Sequence, residues 1–128
     1  MTQPNQERLA RGEALRRKVL GDDYVNDSTS GAGDFSRDFQ ELITEYVWGA
    51  VWSRPDLPLA TRSLVNIAML TALNRPNELK LHVAGALRNG CKAEQIREVL
   101  MQAAVYCGVP AAIVSFKAAR EAIAAFKG

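Results

Sequence analysis

Apolar residues recur along most of the chain at steps of three and four, the spacing that places side chains on one face of an α-helix. The first such stretch covers 6–20, where Leu9, Leu15 and Val19 share a side and basic residues lie elsewhere. Gly21 is typical of the position that ends a helix. We therefore predict an amphipathic helix over 6–20, whose basic face fits a solvated surface better than a site for acidic partners.

Turn-forming residues then dominate 22–34, and they are Asp22, Asp23, Asn26, Asp27, Ser28, Ser30, Gly31 and Gly33. Such a composition is typical of turns and loops. A calcium-binding loop of the twelve-residue type is excluded, because that pattern needs a glutamate at its last position and the spacing here does not supply one. We predict an irregular linker or flap over 22–34.

Five further helical stretches follow, over 34–52, 59–74, 76–90, 93–106 and from 110 onward. Pro76 and Pro110 stand where proline suits the first turn of a helix. The stretch 64–73 is apolar nearly all round and is interrupted only by Asn66 and Thr71. A helix of that kind is usually central, so we predict that it is covered on most sides.

The fold class predicted from these patterns is all-α. No alternating run of β-branched residues bounded by hairpin turns is present, so strands are not expected. A chain of 128 residues with 48% hydrophobic residues is long enough to bury a core. We predict one compact domain over 1–128, a bundle of about six helices joined by short loops.

Composition excludes several classes of function. A net charge of +2 with 23% charged residues argues against a strongly basic nucleic-acid binder. No apolar run reaches the roughly 18 residues that a membrane-spanning helix needs. The first residues are polar and lack a basic patch followed by an apolar stretch, so no signal peptide is expected. These features predict a cytoplasmic protein that binds neither nucleic acid nor membrane.

Cysteine and histidine are both scarce. Cys91 and Cys107 form no CxxC motif and are too few for a disulfide framework. We predict that Cys107 is a small buried apolar residue, since no second histidine or cysteine is placed to activate it. His82 is the sole histidine. A histidine-rich metal site is therefore not expected within one chain, and no metal is predicted.

The most suggestive chemistry lies around His82. Glu78 precedes His82 by four residues, so both side chains lie on the same helix face. A carboxylate beside an imidazole raises its pKa, which suits a general acid near neutral pH. Arg75 lies three residues before Glu78 and could bind an anionic group. The alternative is an ordinary surface pair, which stabilises a helix by about 0.2–0.5 kcal/mol.

A second group combines bulky aromatic residues with arginines: Tyr46, Trp48, Trp52, Arg54 and Arg62. Aromatic walls with guanidinium groups nearby can form an anion pocket, since guanidinium binds carboxylate in a bidentate way. The alternative is that the tryptophans belong to the core or to a subunit interface and that the arginines are surface charges.

Four motifs together carry a resemblance to a known family: WGAVWSRP at 48–55, TRSL at 61–64, LNRPNELKLHVAGALRNG at 73–90 and YCGVP at 106–110. The chain resembles the γ-carboxymuconolactone decarboxylase family over about 35–126. The wider superfamily includes alkylhydroperoxidase D-like disulfide reductases, which carry CxxC ahead of the helix histidine. Arg75 and Glu78 stand at those two cysteine positions here, which favours the decarboxylase branch.

The resemblance implies an all-α, cofactor-free carboxy-lyase that acts on a dicarboxylate lactone in the protocatechuate branch of the β-ketoadipate pathway. It also implies a homo-oligomer, often a hexamer, with active sites near subunit contacts. We expect His82 to act as general acid and Glu78 to orient it. The expected substrate-binding residues are Arg54, Arg62, Arg75, Tyr46, Trp48 and Tyr106. The alternatives are a peroxide or disulfide reductase and a non-catalytic protein that binds a small acid.

Overall fold

The computed structural model describes residues 5–128, and its regular elements in that range are all helical. Seven α-helices and one π-helical segment follow one another: α1 Gln6–Leu20, α2 Asp22–Ser30, α3 Gly33–Ile43, the π-helical segment Thr44–Trp52, α4 Leu59–Ala72, α5 Pro76–Arg88, α6 Ala93–Cys107 and α7 Val109–Ala125. No strand occurs over 5–128, so the predicted all-α class is confirmed. Within the same range, no helix combines the length and the apolar character needed to cross a membrane.

Contacts divide the chain into two compact units, of which the first ends at Leu57 and the second spans Pro58–Gly128. The first unit contains α1, α2, α3 and the π-helical segment, and the second contains α4 to α7. Part of the predicted domain 1–128, and part of the sequence on which the signal-peptide prediction rests, falls on residues 1–4, outside the described residues. The assignment of all 128 residues to one domain stays a prediction.

In the first unit, α1 packs closely against the π-helical segment, with glycines at the points of approach. A Cβ atom on Gly12 would lie 2.1 Å from the Thr44 carbonyl oxygen, and one on Gly49 would lie 2.3 Å from the Arg8 carbonyl oxygen. Both distances are far below van der Waals contact, so only glycine allows the two backbones to come this near. Trp48 and Trp52 stack nearby, with ring centroids 4.6 Å apart.

In the second unit, the turn between α4 and α5 fixes the start of the helix that carries His82. Asn74 adopts φ 57°, a left-handed conformation that asparagine tolerates better than most residues. The Arg75 backbone N–H donates to the Leu70 carbonyl at 3.0 Å, and Pro76 then occupies the first turn of α5. The buried core of this unit includes Ile67, Leu79, Val83, Ile96 and Leu100.

The prediction of an irregular segment over 22–34 is wrong for most of its length, because α2 spans Asp22–Ser30. Gly21, at φ 90°, separates α2 from α1. Asp22 and Asp23 then lie at the amino-terminal end of α2, where negative charge is favourable. Arg17 donates to Asp22 at 3.2 Å and to Asn26 at 2.9 Å, and Val25 is buried. Residues 5–128 therefore contain seven α-helices, one more than the six helices predicted.

Two burial predictions also need correction. The apolar stretch 64–73 is not covered on most sides, because Val65, Met69 and Leu73 are 44%, 49% and 63% exposed. These residues follow one another at intervals of four, so they form a single uncovered face of α4 and of the turn after it. Cys107 is exposed instead of buried, since it is the last residue of α6 and Gly108 turns the chain there. Cys91 is the buried thiol.

Candidate active site

His82 and Asn66 meet where α5 packs against α4. The Asn66 amide nitrogen lies 3.4 Å from Nδ1 of His82, and both side chains are half-buried. Each residue is held by a fully buried neighbour on its own helix, Ile67 beside Asn66 and Val83 beside His82. The imidazole is therefore positioned by packed helices and not by a loop.

The contact with Asn66 relates the protonated ring nitrogen of His82 to the orientation of the amide. When the amide N–H donates to Nδ1, the ring proton of neutral His82 lies on Nε2. Burial lowers the pKa of His82 from 6.5 to about 4, and the negative charge of Glu78 only partly opposes this effect. The expected direction of the Glu78 effect is right, but a His82 pKa raised by it towards neutrality is wrong, because desolvation outweighs the charge. At neutral pH the imidazole is therefore neutral.

Glu78 lies in the first turn of α5 and is exposed to solvent. A negative charge there is favourable, because the amino-terminal end of a helix carries a partial positive charge. Its effect on His82 is electrostatic, through the pKa.

The arginines of the second unit differ in their placement. Arg75 is exposed and turns back on its own loop, where Nη1 donates to the carbonyl oxygens of Leu73 at 3.1 Å and Asn74 at 3.4 Å. Arg62 lies on α4, four residues before Asn66, so these two side chains share a helix face. Arg62 is half-buried. Of the predicted arginines, Arg62 is therefore the one that the helix geometry relates most directly to Asn66 and His82.

The remaining predicted residues have different surroundings. Trp48 is buried in the first unit against Trp52, as the core interpretation of the tryptophans expects. Tyr46, in the same unit, is 65% exposed, and Arg54 is exposed in the turn after the π-helical segment. Tyr106 is 82% exposed near the end of α6. It lines a largely apolar cavity of about 340 Å³, together with Thr61, Leu64, Val65, Ala68, Val99, Gln102, Ala103 and Cys107.

Asn66 is the site residue that the sequence-based assignment missed. The signal was present, since Asn66 and Thr71 interrupt the apolar stretch 64–73. A polar side chain inside an apolar helix needs a hydrogen-bonding partner. The Thr71 hydroxyl finds one locally and donates to the Ile67 carbonyl at 2.8 Å, whereas Asn66 reaches across to α5.

Together these residues offer a neutral imidazole whose Nε2–H can donate, with an arginine on the neighbouring helix face. This combination suits a small anionic substrate that needs charge stabilisation and a proton. Over the described residues, no group of three or more histidine, cysteine, aspartate or glutamate side chains is placed to hold a metal ion.

Fold and site thus define a helical protein with one histidine held by an amide between two packed helices. Residues 37–121 match the model of the carboxymuconolactone decarboxylase family. The chain belongs to this family, and it is an enzyme of the carboxy-lyase class.

Two relatives illustrate the range of the family. The chain is 40% identical over 117 residues to 4-carboxymuconolactone decarboxylase of Acinetobacter baylyi, covering 91% of this chain and 87% of the relative. It is 44% identical over 102 residues to nitrosuccinic acid decarboxylase of Metarhizium robertsii, covering 80% of this chain and 71% of that relative. Both relatives are decarboxylases.

Proposed function

We propose that the chain is a 4-carboxymuconolactone decarboxylase that converts the lactone to the β-ketoadipate enol-lactone in cytoplasmic protocatechuate catabolism. The observation that carries the proposal is the His82–Asn66 pair, placed between packed helices in a chain 40% identical to an enzyme of that name. The substrate is a small dianion, which agrees with Arg62 on the helix face that it shares with Asn66.

The reaction needs little beyond binding, charge stabilisation and a proton. When the ring carboxylate leaves as CO2, the electron pair of the broken C–C bond delocalises through the ring double bond into the lactone carbonyl. A dienolate forms, and a proton delivered to carbon completes the reaction. Because the substrate is its own electron sink, the proposed mechanism uses neither metal nor organic cofactor. The protein supplies orientation and stabilisation of the developing negative oxygen.

In this mechanism His82 is the general acid. Its pKa of about 4 leaves the imidazole neutral at pH 7 before substrate binds. A dianionic lactone bound beside it favours the charged imidazolium, so substrate binding raises the His82 pKa and draws in a proton. The Asn66 amide can turn to offer its oxygen to Nδ1–H of the imidazolium. Asn66 then orients His82 in both protonation states, and the negative charge of Glu78 also favours the imidazolium.

The arginines divide between two tasks. An arginine beside the departing carboxylate would stabilise the ground state and slow the reaction. We therefore assign Arg62 to the lactone carbonyl, where negative charge develops, and we assign Arg75 to the carboxylate of the acetate side chain. Tyr106, in the same unit as His82, is proposed as a wall of the site or as a hydroxyl donor.

We further propose that the chain assembles as a homohexamer. On the surface of the first unit, Phe35, Phe39, Leu42 and Tyr46 are 99%, 58%, 56% and 65% exposed. Their spacing places them on one face of α3 and its continuation, and an exposed apolar surface of this kind is typical of an interface. Light scattering on purified protein should give about six times the chain mass of 14.0 kDa. A particle with the mass of one chain would contradict the proposal.

Nitrosuccinic acid is the second candidate substrate, since a 44% identical relative is named for it. Its nitro group can accept the electron pair from the adjacent C–C bond, as the lactone carbonyl does. Purified protein should be given each acid without added metal or nucleotide, and CO2 release should be measured for both. We expect the larger kcat/KM for the lactone, and a larger value for nitrosuccinic acid would reverse the assignment.

The same assay separates the two remaining alternatives. Cys107→Ser, which removes the exposed thiol without adding bulk, should allow decarboxylation but would abolish a reductase that depends on this thiol. Lactone binding with no release of CO2 would show a non-catalytic binding protein instead.

A further inference from the structure

The first unit contains a cavity of about 480 Å³ that the proposed reaction does not use. It lies among α1, α2, α3 and the first residue of the π-helical segment, Thr44. Its polar lining includes Arg16, Thr29, Gln40 and Thr44, and Leu9 and Val25 supply apolar surface. A volume in this range accommodates a small organic molecule.

Arg16 is the unusual member of the lining, because it is a charged residue with only 4% of its surface exposed. Nη1 donates to the Thr44 hydroxyl at 3.2 Å, and Tyr24 is a further polar neighbour. Nε is buried and has no acceptor among residues 5–128. The nearest acidic residue on the same helix, Glu13, is paired with Arg17 at 3.3 Å.

No ion pair of the described chain includes Arg16. Burial lowers its pKa, and Tyr24 and Glu13 oppose this effect, but a guanidinium starts from so high a pKa that it stays charged at neutral pH. A buried charge without an anionic partner is costly, so the site favours an anion that enters the cavity.

Among the described residues, the Gln40 side chain lacks a hydrogen-bond donor at Oε1, whereas Arg16 lacks an acceptor at Nε. Its side-chain oxygen Oε1 is buried and receives no hydrogen bond from any described residue. The Thr44 hydroxyl does not serve it, since that group donates to the Gln40 backbone carbonyl at 2.7 Å. The cavity therefore holds one unused N–H donor on a cation and one unused carbonyl acceptor.

We propose that this cavity binds a small monocarboxylate that also carries a hydroxyl or N–H donor. The carboxylate accepts from Nε of Arg16, and the donor of the ligand binds Oε1 of Gln40. Glu13, Glu41 and a second cation, Arg37, also line the cavity. Arg37 is paired with Asp34, so the two acidic residues disfavour a second negative charge on the ligand. The apolar lining contacts the body of the ligand.

Mandelate and phenylacetate form a matched pair of probes, because both are monoanions with the same ring and only mandelate carries a hydroxyl. Calorimetric titration of the full chain should show saturable binding of both, with mandelate about three- to tenfold tighter, the range of one neutral hydrogen bond. Arg16→Gln should weaken both by at least about tenfold, as expected for a hydrogen bond to a charged group. Lys18→Gln removes the same charge from an exposed position of α1 and should change neither affinity.

Gln40→Leu provides an independent test that keeps the guanidinium. It should abolish the preference for mandelate and leave the affinity for phenylacetate unchanged. If circular dichroism shows that Arg16→Gln does not fold, this variant decides the proposal. A preference for mandelate that survives Gln40→Leu would overturn it.

A crystal soaked with mandelate should show the carboxylate at Arg16. Ordered water alone in the cavity at a saturating concentration would overturn the proposal. His82→Ala should leave mandelate affinity unchanged, so failure of the decarboxylase assignment and failure of this second site give different results.

Discussion

His82 and Arg16 are both withdrawn from water, and burial lowers the pKa of each, yet the consequences differ. An imidazole has an ordinary pKa close to neutrality, so burial leaves it uncharged at pH 7. A guanidinium stays charged under the same treatment. In the proposed mechanism substrate binding restores the charge of His82, whereas the permanent charge of Arg16 is the basis for the anion site proposed beside it.

The polar neighbours of His82 and of Arg16 also differ. Asn66 is a neutral amide that can serve either protonation state of His82. The Thr44 hydroxyl accepts a hydrogen bond from Arg16, Tyr24 is a further polar neighbour, and the charge of Glu13 only partly opposes the effect of burial. The contrast teaches that a buried titratable group is interpreted best from its ordinary pKa together with the partners around it.

Among the tests of this comparison, we expect the largest change in kcat when the His82 imidazole is removed. His82→Ala should lower kcat for 4-carboxymuconolactone by at least about 100-fold, the usual scale of a general acid. Arg97→Gln changes an exposed residue of α6 and serves as the control with unchanged kcat. Full activity of His82→Ala in an initial-rate assay would end the assigned role.

The framework around Arg16 gives the next largest effect. Gly12→Ala places a methyl group 2.1 Å from the Thr44 carbonyl oxygen, so α1 and the π-helical segment must separate. We expect a loss of about 1–3 kcal/mol in the free energy of unfolding, measured in urea. Ala14→Ser, on an exposed face of α1, should cost less than about 0.5 kcal/mol. Equal stability of the two variants would show that the glycine contact is unimportant.

Loss of the Asn66 amide beside His82 should lower kcat by a smaller factor than loss of the imidazole. Asn66→Leu keeps a similar volume but removes the group that orients the imidazole. We expect kcat to fall by about tenfold, within the range for an outer partner of a functional histidine. Asn66→Gln, which keeps the amide, should recover part of the rate. A variant Asn66→Leu with unchanged kcat would remove Asn66 from the mechanism.

A fourth expected effect is on the pH dependence of the free energy of unfolding. The folded pKa of His82 is about 4, below the value of about 6.5 expected for an unfolded chain. The unfolded state therefore binds more protons between pH 6.5 and 4, and stability falls as the pH is lowered through this window. The fall should be shallower in His82→Gln, and parallel curves for the two proteins would contradict the pKa.

Helix positions were largely predictable from sequence because they depend on local patterns. The spacing of apolar residues, Gly21, Pro76 and Pro110 gave the helix limits to within a few residues at most ends. The segment 22–34 was misassigned because asparagine, aspartate and serine favour turns in isolation. Contacts from Arg17 and the burial of Val25 stabilise a helix there, and a local pattern does not report them.

The site was only partly predictable for the same reason. His82 and Glu78 are related by helix spacing, so their proximity follows from the sequence. The Asn66 contact and the desolvation of His82 depend on how α4 packs on α5, a tertiary arrangement. The exposed Cys107 and the uncovered face of α4 show that apolar character does not tell which surfaces are covered within one chain.

The most direct test is a proton NMR titration of His82, which is the sole histidine and gives a single imidazole resonance to follow. In the empty protein we expect a midpoint near the pKa of about 4. With a non-reactive dicarboxylate analogue of the lactone bound, the midpoint should move upward, because the charged form is then favoured. A midpoint near 6.5 that does not move when the analogue binds would contradict the central claim that burial neutralises His82 and the substrate restores its charge.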